Sequence, residues 1–299
     1  MISIIITAWE EPEEIKECIM CFINQRNLNE EYEIIAIAPD EPTKNEILNY
    51  AKKYPDNIRF FHQPREKGKN EMLNILMKKA KGDILIFTDG DIHVNDIAVS
   101  EIINIYNNPE IGAVTGRICP QNSRNNFFGY WAYVLTNGAH KIRKQRYEKQ
   151  KFLECSGYLY SIKKGLVKEI PLDVAEDSIM PLMIWKKGYK IGYADKAIGY
   201  VQYPENFEKW IGQKVRCAKS HKKLDDYGGK EIRMKTFKNE VLKGTYWALS
   251  YPENIKEFIW TLSLFPARLY IWVRFFIDTR FRNQHYGKTW SKIHASSKT

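Results

Sequence analysis

The sequence predicts an α/β fold: a mixed, mostly parallel sheet with helices on both faces, followed by amphipathic helices near the C-terminus. Apolar runs alternate with segments of helical periodicity through the first two thirds of the chain, the pattern of a doubly wound sheet. Residues 84–87 are apolar without the alternation of a half-exposed strand, as in strands buried on both faces. Asp89 and Asp91 follow that run, at the strand end where open α/β sheets bind ligands.

The first half of the chain supplies most of the predicted sheet. An apolar run at residues 3–7 precedes helical spacing at 13–24, where Pro12 suits the first turn and the nearby Glu side chains complement the helix dipole. Further strands are predicted over residues 32–38, 58–61, 84–87 and 111–116. Helices are predicted to end near Lys53 and to cover residues 70–81 and 97–106, and a basic loop is predicted at 65–69.

The second half is less regular. Residues 127–133 are aromatic and apolar but far shorter than the roughly 20 residues that cross a bilayer, so we expect a helix beside the sheet or a partly exposed surface. A bulged strand is predicted over residues 152–160 and a loop over 171–175. A helix is predicted to begin at Glu176-Asp177, and a last core strand is predicted over 189–193.

Composition narrows the class of protein. A chain of 299 residues with 44% hydrophobic residues can bury a large core, which excludes a disordered protein. Five scattered cysteines without a repeated pair spacing argue against a disulfide framework, and Cys18 and Cys21 lie within a helical pattern that favours core positions. Met1 leads directly into a strand without the basic start of a signal peptide, so a cytoplasmic location is expected.

The formal charge of +10 is concentrated at the C-terminal end. Residues 205–299 hold 19 Lys and Arg against 9 Asp and Glu, whereas residues 1–204 hold 27 of each. A basic, aromatic-rich segment suits nucleic acid, anionic lipid or a polyphosphate substrate, and composition does not choose among them. We therefore divide the chain into a domain at 1–204 and a basic helical extension at 205–299. Within the domain we distinguish halves at 1–115 and 116–204.

The extension has a basic helix and an aromatic segment. Residues 209–224 form the predicted basic helix, and Gly228-Gly229 follow in a polar stretch. Residues 255–277 are rich in aromatic and aliphatic side chains, with Arg268 and Arg274 between them, and Pro266 is expected to break the helix. The segment suits a helix lying in a membrane interface, or an amphipathic helix that closes the core. Its longest charge-free run is too short to span a bilayer.

Asp89-Gly90-Asp91 is the motif with the clearest chemistry. In isolation, an Asp-Gly-Asp after a strand is equally explained as a solvated turn. Two carboxylates one residue apart, with a glycine that lets the backbone bend, also suit Mg²⁺ or Mn²⁺, which share oxygen ligands with substrate phosphates. His93 and His221 lack paired ligand spacing and are expected to be polar surface residues, with an added metal ligand as the alternative for either.

The order of the polar motifs resembles glycosyltransferase family 2, whose members have the GT-A fold. The motifs are Thr7, Asp40, Lys67-Gly68-Lys69, Asp89-Gly90-Asp91, Ser156-Gly157, Glu176-Asp177 and Gln213-x-x-Arg216. The resemblance covers roughly residues 2 to 220. The tail, with its motifs at 286–290 and 296–298, is similar to that of membrane-associated members.

The resemblance implies a nucleotide-sugar donor and a divalent metal, Mn²⁺ or Mg²⁺, held by Asp91 with Asp89 near the ribose or sharing the ion. Asp40 is implied to read the base edge, although Ala38-Pro39-Asp40-Glu41 departs from the family's usual Asp-Asp-Gly-Ser. The implied donor-binding residues are Thr7, Trp9, Glu10, Asp40, Lys69, Asp89 and Arg216. Lys69 and Arg216 would meet phosphates.

The resemblance also implies an acceptor side with Asp177 as catalytic base of an inverting displacement. The implied acceptor-side residues are Ser156, Gly157, Glu176, Trp210 and Gln213. Cys217 stands where processive members have Trp, so we expect transfer of a single residue, with Trp210 as a substitute platform.

The expected function is therefore an inverting, metal-dependent glycosyltransferase that acts on a glycan or lipid-linked acceptor at the inner face of the cell membrane, through peripheral contact of residues 245–299 with anionic lipid. A sugar-phosphate nucleotidyltransferase is the first alternative, but residues 9–12 offer no Gly-rich basic loop after the first strand. A basic nucleic-acid-binding protein is the second, and no helix-turn-helix or stacking-sheet signature supports it.

Overall fold

The computed structural model describes residues 1–62, 68–232, 234, 236–237 and 244–282. Residues 65–67 of the predicted basic loop, Lys67 of the Lys-Gly-Lys motif and the tail motifs at 286–290 and 296–298 lie outside the described residues.

Eight strands form one mixed sheet in the order β3-β2-β1-β4-β7-β6-β8-β5. The strands are β1 (Ile2–Thr7), β2 (Tyr32–Ala38), β3 (Ile58–His62), β4 (Ile84–Asp89), β5 (His93–Val94), β6 (Ile111–Pro120), β7 (Leu159–Lys163) and β8 (Lys190–Val201). Strands β3, β2, β1 and β4 are mutually parallel, as are β6 and β8. Strand β7 runs antiparallel to β4 and β6, and β5 runs antiparallel to β8.

The helices lie between the strands in the chain and beyond the last one. They are α1 (Glu14–Ile23), α2 (Glu41–Lys53), α3 (Lys69–Lys79), α4 (Ala98–Ile105), α5 (Phe127–Glu148), α6 (Glu176–Lys186) and α7 (Phe207–Lys223). A 3-10 turn (Leu224–Tyr227) precedes α8 (Thr245–Leu249) and α9 (Ile255–Arg280). The positive φ of 71° at Gly228 ends the 3-10 turn, a conformation that favours glycine.

The core lies on both faces of the sheet. Every residue of β1 is buried, and Ile4 and Ile5 belong to the apolar clusters on opposite faces. Residues 85–88 of β4 are also buried, with Ile86 on one face and Phe87 on the other. The sequence-based prediction of strands buried on both faces is confirmed.

The structure departs from the predicted elements in several places. Helix α5 continues to Glu148, well beyond residue 133, and the predicted strand at 152–160 is an irregular segment that leads into β7. Strand β5 is absent from the prediction, because two residues are too few to show the alternation of a strand. Pro266 lies inside α9 and does not end it. Leu264 and Ala267 on either side pack into one apolar cluster with α5 and α7, so tertiary packing outweighs the lost hydrogen bond.

Helix α9 packs one face on the rest of the chain and leaves another in solvent. Arg124 donates two hydrogen bonds of 2.9 Å to the Glu257 carboxylate, and Lys219 of α7 lies 2.9 Å from Asp278. In the part of the chain that the structure describes, no helix combines the length and apolarity required for a membrane span.

Candidate active site

The carboxyl ends of β1 and β4 place the first group of polar side chains together. The two strands are parallel neighbours, and Thr7 is paired in register with Asp89. The Thr7 hydroxyl donates to Asp89 Oδ1 over 3.2 Å, and Lys69 Nζ at the start of α3 donates to the same oxygen over 2.7 Å. Three predicted donor-side residues therefore meet at one carboxylate.

Gly90 lets the chain turn between the two aspartates. A Cβ built at Gly90 would lie 2.5 Å from the Ala8 Cβ and 2.8 Å from Glu11 Oε2. The loop after β1 therefore packs against the motif too closely for any other residue.

Asp91 is a half-buried carboxyl group next to Asp89. Burial, and then the Asp89 charge, raise the pKa of Asp91 to about 6. Apart from its own backbone N–H, no hydrogen bond or ion pair from the described residues reaches this carboxylate. A bound cation would reduce the repulsion between the Asp89 and Asp91 carboxylates and would stabilise the charged form of Asp91.

The residues present fit a divalent cation. Asp89 and Asp91 are hard oxygen donors, and Mg²⁺ or Mn²⁺ commonly takes only one or two protein carboxylates, with water and phosphate oxygens completing the shell. The described residues contain no group of three or more His, Cys, Asp or Glu side chains that could hold a metal alone. The donor set therefore suits an ion shared with a phosphate-bearing ligand.

Lys69 links this group to the start of α6. Its Nζ lies 2.7 Å from Asp89 Oδ1 and 2.6 Å from Glu176 Oε1. Burial would lower the pKa of Lys69, but the two carboxylate charges outweigh it and the pKa is raised, so the ammonium stays charged. Lys69 is thus a fixed cation between β4 and α6.

Two asparagines that sequence reasoning missed hold α3 against the loop before α6. The Asn70 amide donates to the carbonyls of Pro171 and Val174 over 2.6 and 2.7 Å. Asn74 donates to the Ile170 carbonyl and accepts from its N–H, over 2.9 and 2.7 Å. Both amides lie on the buried face of α3. Their positions among the apolar residues of the helix are the sequence signal that could have identified them.

Asp177 lies beside Glu176 at the start of α6. Its Oδ2 accepts the Gly157 N–H over 3.0 Å and its Oδ1 accepts the Ser178 hydroxyl over 3.3 Å. The Gly157 loop is fixed between two strands, because the Ser156 N–H donates to Thr115 Oγ1 and Thr88 Oγ1 donates to the Tyr158 carbonyl, over 3.0 and 2.9 Å. The predicted Ser-Gly and Glu-Asp motifs therefore meet.

Helix α7 contributes a wall with two kinds of side chain. Gln213 Nε2 donates to the Tyr158 hydroxyl over 3.4 Å, while its buried Oε1 has no hydrogen-bond partner among the described residues. Arg216 is exposed and lines the same space. Trp210 is 2% exposed and packs against Trp131, with Phe207 stacked on it at 6.2 Å between ring centroids. Phe207, 45% exposed, presents the outer ring of this stack.

One cavity of about 1850 Å³ encloses these groups. Its described walls include residues from both polar groups and from α7: Thr7, Lys69, Asp89, Asp91, Ser156, Gly157, Glu176, Asp177, Trp210, Gln213 and Arg216. Trp9, Glu10 and Asp40 are not among the described lining residues. The Asp40 carboxylate accepts the N–H groups of Glu10 and Thr43, over 2.7 and 3.0 Å, and so caps α2. A base-reading role for these three residues stays a prediction.

The two histidines lie in different environments. His93 is half-buried, with Nε2 2.7 Å from Glu17 Oε2. His221 is 3% exposed and lies 2.8 Å from the buried Glu154, so the expectation of a surface residue is wrong. The helical pattern of α7 concealed this, because basic residues surround His221 in sequence.

The fold and the site place the chain in a class of proteins before any comparison of sequence. A mixed sheet with an acidic motif at the end of β4 and a second acidic motif at the start of α6 is the arrangement of GT-A glycosyltransferases. The mannosyltransferase PcManGT from Pyrobaculum calidifontis, solved with GDP-Man and Mn²⁺, superposes with a TM-score of 0.67 over 95% of this chain and 88% of that chain, at 15% identity. TarS residues 1–349 from S. aureus, solved with UDP-GlcNAc, give a TM-score of 0.53 over 96% and 93%, also at 15% identity.

The family follows from the sequence. The model for glycosyl transferase family 2 matches residues 3–170, more than half of the chain, and the chain belongs to this family. A probable glycosyltransferase, YdaM of Bacillus subtilis (strain 168), is 22% identical over 230 residues, which cover 74% of this chain and 55% of that protein. The chain spans about half the length of the curated relatives it matches first. The predicted family and fold are confirmed.

Proposed function

We propose that this chain is an inverting, metal-dependent glycosyltransferase that moves a single sugar from a nucleoside diphosphate sugar to a hydroxyl group of a glycan or lipid-linked acceptor. The observation that carries the proposal is the position of Lys69, whose Nζ contacts Asp89 at the end of β4 and Glu176 beside Asp177. Asp89 and Asp91, the proposed cation ligands, and Asp177, the proposed base, border one cavity. Two structurally similar proteins were solved with nucleotide sugars, one with GDP-Man and Mn²⁺ and one with UDP-GlcNAc, which supports a nucleotide-sugar donor.

The donor end neutralises charge. Loss of the diphosphate builds negative charge on the β-phosphate oxygen, and Mg²⁺ or Mn²⁺ held by Asp89 and Asp91 supplies neutralisation when bound. Lys69 contributes a fixed positive charge, and Arg216, on the exposed wall of the cavity, presents a guanidinium that suits two phosphate oxygens.

The acceptor end removes a proton. The acceptor hydroxyl oxygen attacks the anomeric carbon on the face opposite the diphosphate, the bond from that carbon to the leaving oxygen breaks, and Asp177 takes the hydroxyl proton. Gly157 and Ser178 each donate a hydrogen bond to the Asp177 carboxylate and orient it within the cavity. The orphaned Oε1 of Gln213 offers a second acceptor for a sugar hydroxyl.

A panel of nucleotide sugars with Mn²⁺ or Mg²⁺ tests the proposal, with hydrolysis and transfer to added glycans as readouts. We expect one donor to be consumed and Asp177→Asn to lower kcat by at least 100-fold while nucleoside diphosphate affinity stays within about threefold. Asp83→Asn, at a carboxylate with a 90% exposed side chain outside the cavity, is the matched control. Full turnover by Asp177→Asn would overturn the assignment of the base.

Membrane contact of α9 is the second part of the proposal. Its large exposed apolar side chains recur at spacings of three and four residues over much of the helix: Ile255, Phe258, Ile259, Leu262, Leu269, Tyr270, Val273, Phe276 and Ile277. Exposed Lys256, Arg274 and Arg280 lie on the same helix. An apolar stripe flanked by cations suits a helix lying in the plane of an anionic membrane.

A further inference from the structure

Behind Asp177 lies a buried chain of polar groups to which the proposed reaction assigns no role. Ser178 Oγ lies 3.3 Å from Asp177 Oδ1 and 3.4 Å from His221 Nδ1, and His221 Nδ1 lies 2.8 Å from Glu154 Oε2. Ser178, His221 and Glu154 are 0%, 3% and 1% exposed. The four residues come from α6, α7 and the segment after α5, so three parts of the fold converge on the base.

The protons in this chain have one consistent arrangement. Glu154 Oε2 lies 2.8 Å from His221 Nδ1 as a charge contact without the geometry of a hydrogen bond, whereas Ser178 Oγ lies within hydrogen-bond distance of the same nitrogen. The adjacent negative charge favours a hydrogen over a lone pair on Nδ1, in either the neutral or the charged imidazole. Nδ1 therefore offers Ser178 only a donor. The single hydroxyl hydrogen of Ser178 is left for Asp177 Oδ1, in agreement with the observed contact.

Glu154 is itself fixed. Its Oε1 accepts the Met234 N–H over 2.6 Å, and its carbonyl accepts from Arg143 Nε over 3.2 Å. A buried carboxylate needs such partners, because its desolvation is otherwise costly. The carboxylate thus has a set orientation toward His221.

We propose, on the basis of the proposed function, that Glu154 and His221 are positioning residues that direct the Ser178 hydroxyl onto the catalytic base. The negative charge of Glu154 favours a hydrogen on His221 Nδ1, so Nδ1 donates to Ser178 and does not accept from it. The Ser178 hydroxyl then donates to Asp177 and holds that carboxylate toward the acceptor. Gly157 holds the other oxygen from the opposite strand loop. Without Glu154, the imidazole can accept the Ser178 hydrogen, and the Asp177 carboxylate loses the hydrogen bond from Ser178.

Kinetics of four variants test this arrangement in the folded enzyme. His221→Leu and Ser178→Ala are each expected to lower kcat at least tenfold, with the dissociation constants for UDP and GDP unchanged within twofold. His221→Asn keeps an N–H donor near the Nδ1 position and is expected to restore most of kcat. The double variant of Ser178→Ala and His221→Leu is expected to lose no more than the worse single variant, because both act through one hydrogen bond. Independent, multiplicative losses, or folded single variants with wild-type kcat, would overturn the proposal.

A spectroscopic measurement needs no turnover. In ¹⁵N-histidine-labelled protein, the His221 signal, assigned by its loss in His221→Asn, is expected to show a protonated Nδ1, and Glu154→Gln is expected to shift the hydrogen away from Nδ1. A wild-type Nδ1 without hydrogen would refute the arrangement even if variants fail to fold. A wild-type enzyme that consumes no nucleotide sugar, but has protonated Nδ1, would instead count against the proposed function alone.

Discussion

The Gly157 N–H donates a 3.0 Å hydrogen bond to Asp177 Oδ2, and a Cβ built on Gly157 would lie 3.2 Å from the same oxygen. The glycine therefore supplies a donor and leaves just enough room for the carboxylate that it orients. Since the neighbouring Ser156 and Tyr158 are tied to different strands, the loop cannot easily move away. The carboxylate would have to move instead.

We predict that Gly157→Ala lowers kcat about tenfold or more, because a displacement of a few tenths of an ångström misaligns the base with the acceptor. Initial rates at saturating donor measure the effect. Gly138→Ala is the matched control: a Cβ at Gly138 in α5 has no heavy atom within 4 Å, so activity should persist and stability should rise by about 0.5–1 kcal/mol. Wild-type kcat in Gly157→Ala would show that the base tolerates this contact.

Lys69 is predicted to be essential for keeping the two acidic groups together. Lys69→Met removes the cation 2.6 Å from Glu176, a carboxylate side chain that is only 8% exposed, and leaves that charge buried without its partner. We expect the free energy of unfolding to fall by about 1–3 kcal/mol and nucleoside diphosphate affinity to fall. Chemical denaturation and calorimetric titration measure the two effects.

A second substitution separates charge from packing in this prediction. Lys69→Met combined with Glu176→Gln removes both charges of the pair and should recover part of the lost stability. Lys81→Met, at an exposed lysine, is the control for removal of a positive charge. Equal stability losses at Lys69 and Lys81 would contradict the bridging role.

The sequence predicts that Thr7, Asp89 and Asp91 lie at one edge of the sheet, because the signals for these residues are local. Asp89 and Asp91 follow a buried strand, and neighbouring parallel strands bring Thr7 to the same edge. Other features depend on contacts between distant residues: Asn70 binds a carbonyl 104 positions away, and His221 meets Ser178 across 43 positions. Pro266 is a further example of a distant contact that outweighs a local signal. A proline is expected to end the helix, but packing of α9 on α5 and α7 preserves it.

The acidic pair predicts a measurable affinity for Mn²⁺. Asp91→Asn removes one of the two oxygen ligands that a divalent ion would share with a diphosphate. We expect Mn²⁺ affinity, measured by electron paramagnetic resonance with UDP or GDP present, to fall at least tenfold. Asp83→Asn should bind like the wild type because its side chain is exposed outside the cavity. Undiminished Mn²⁺ binding in Asp91→Asn would place the ion elsewhere.

His140 predicts a loss of stability in mild acid. Its Nδ1 lies 2.7 Å from the Tyr193 hydroxyl, and burial, then the positive charge of Arg117, lowers the pKa of His140 to about 4. The unfolded chain, with an ordinary histidine pKa near 6.5, binds more protons between about pH 6.5 and 4, so the free energy of unfolding falls as the pH falls through that window.

Thermal unfolding from pH 7.5 to 4.5 checks the sign. His140→Gln should flatten the pH dependence in this window, whereas His62→Gln, at an exposed histidine, should leave the profile as in the wild type. An unchanged slope in His140→Gln would assign the acid sensitivity to other groups.

The exposed stripe of α9 predicts binding to anionic vesicles. Leu262 and Val273 are 46% and 48% exposed, so Leu262→Gln with Val273→Gln should preserve the fold while removing apolar area that would enter the lipid. We expect the wild type to float with vesicles that contain phosphatidylglycerol and the double variant to float at least fivefold less. Tyr200→Ser, an exposed aromatic position on β8, is the matched control and should float normally.

Replacing phosphatidylglycerol by phosphatidylcholine should weaken binding, because Lys256, Arg274 and Arg280 would lose their anionic partners. Equal flotation of the double variant and the wild type, or no flotation of either, would exclude this face of α9 as the membrane contact.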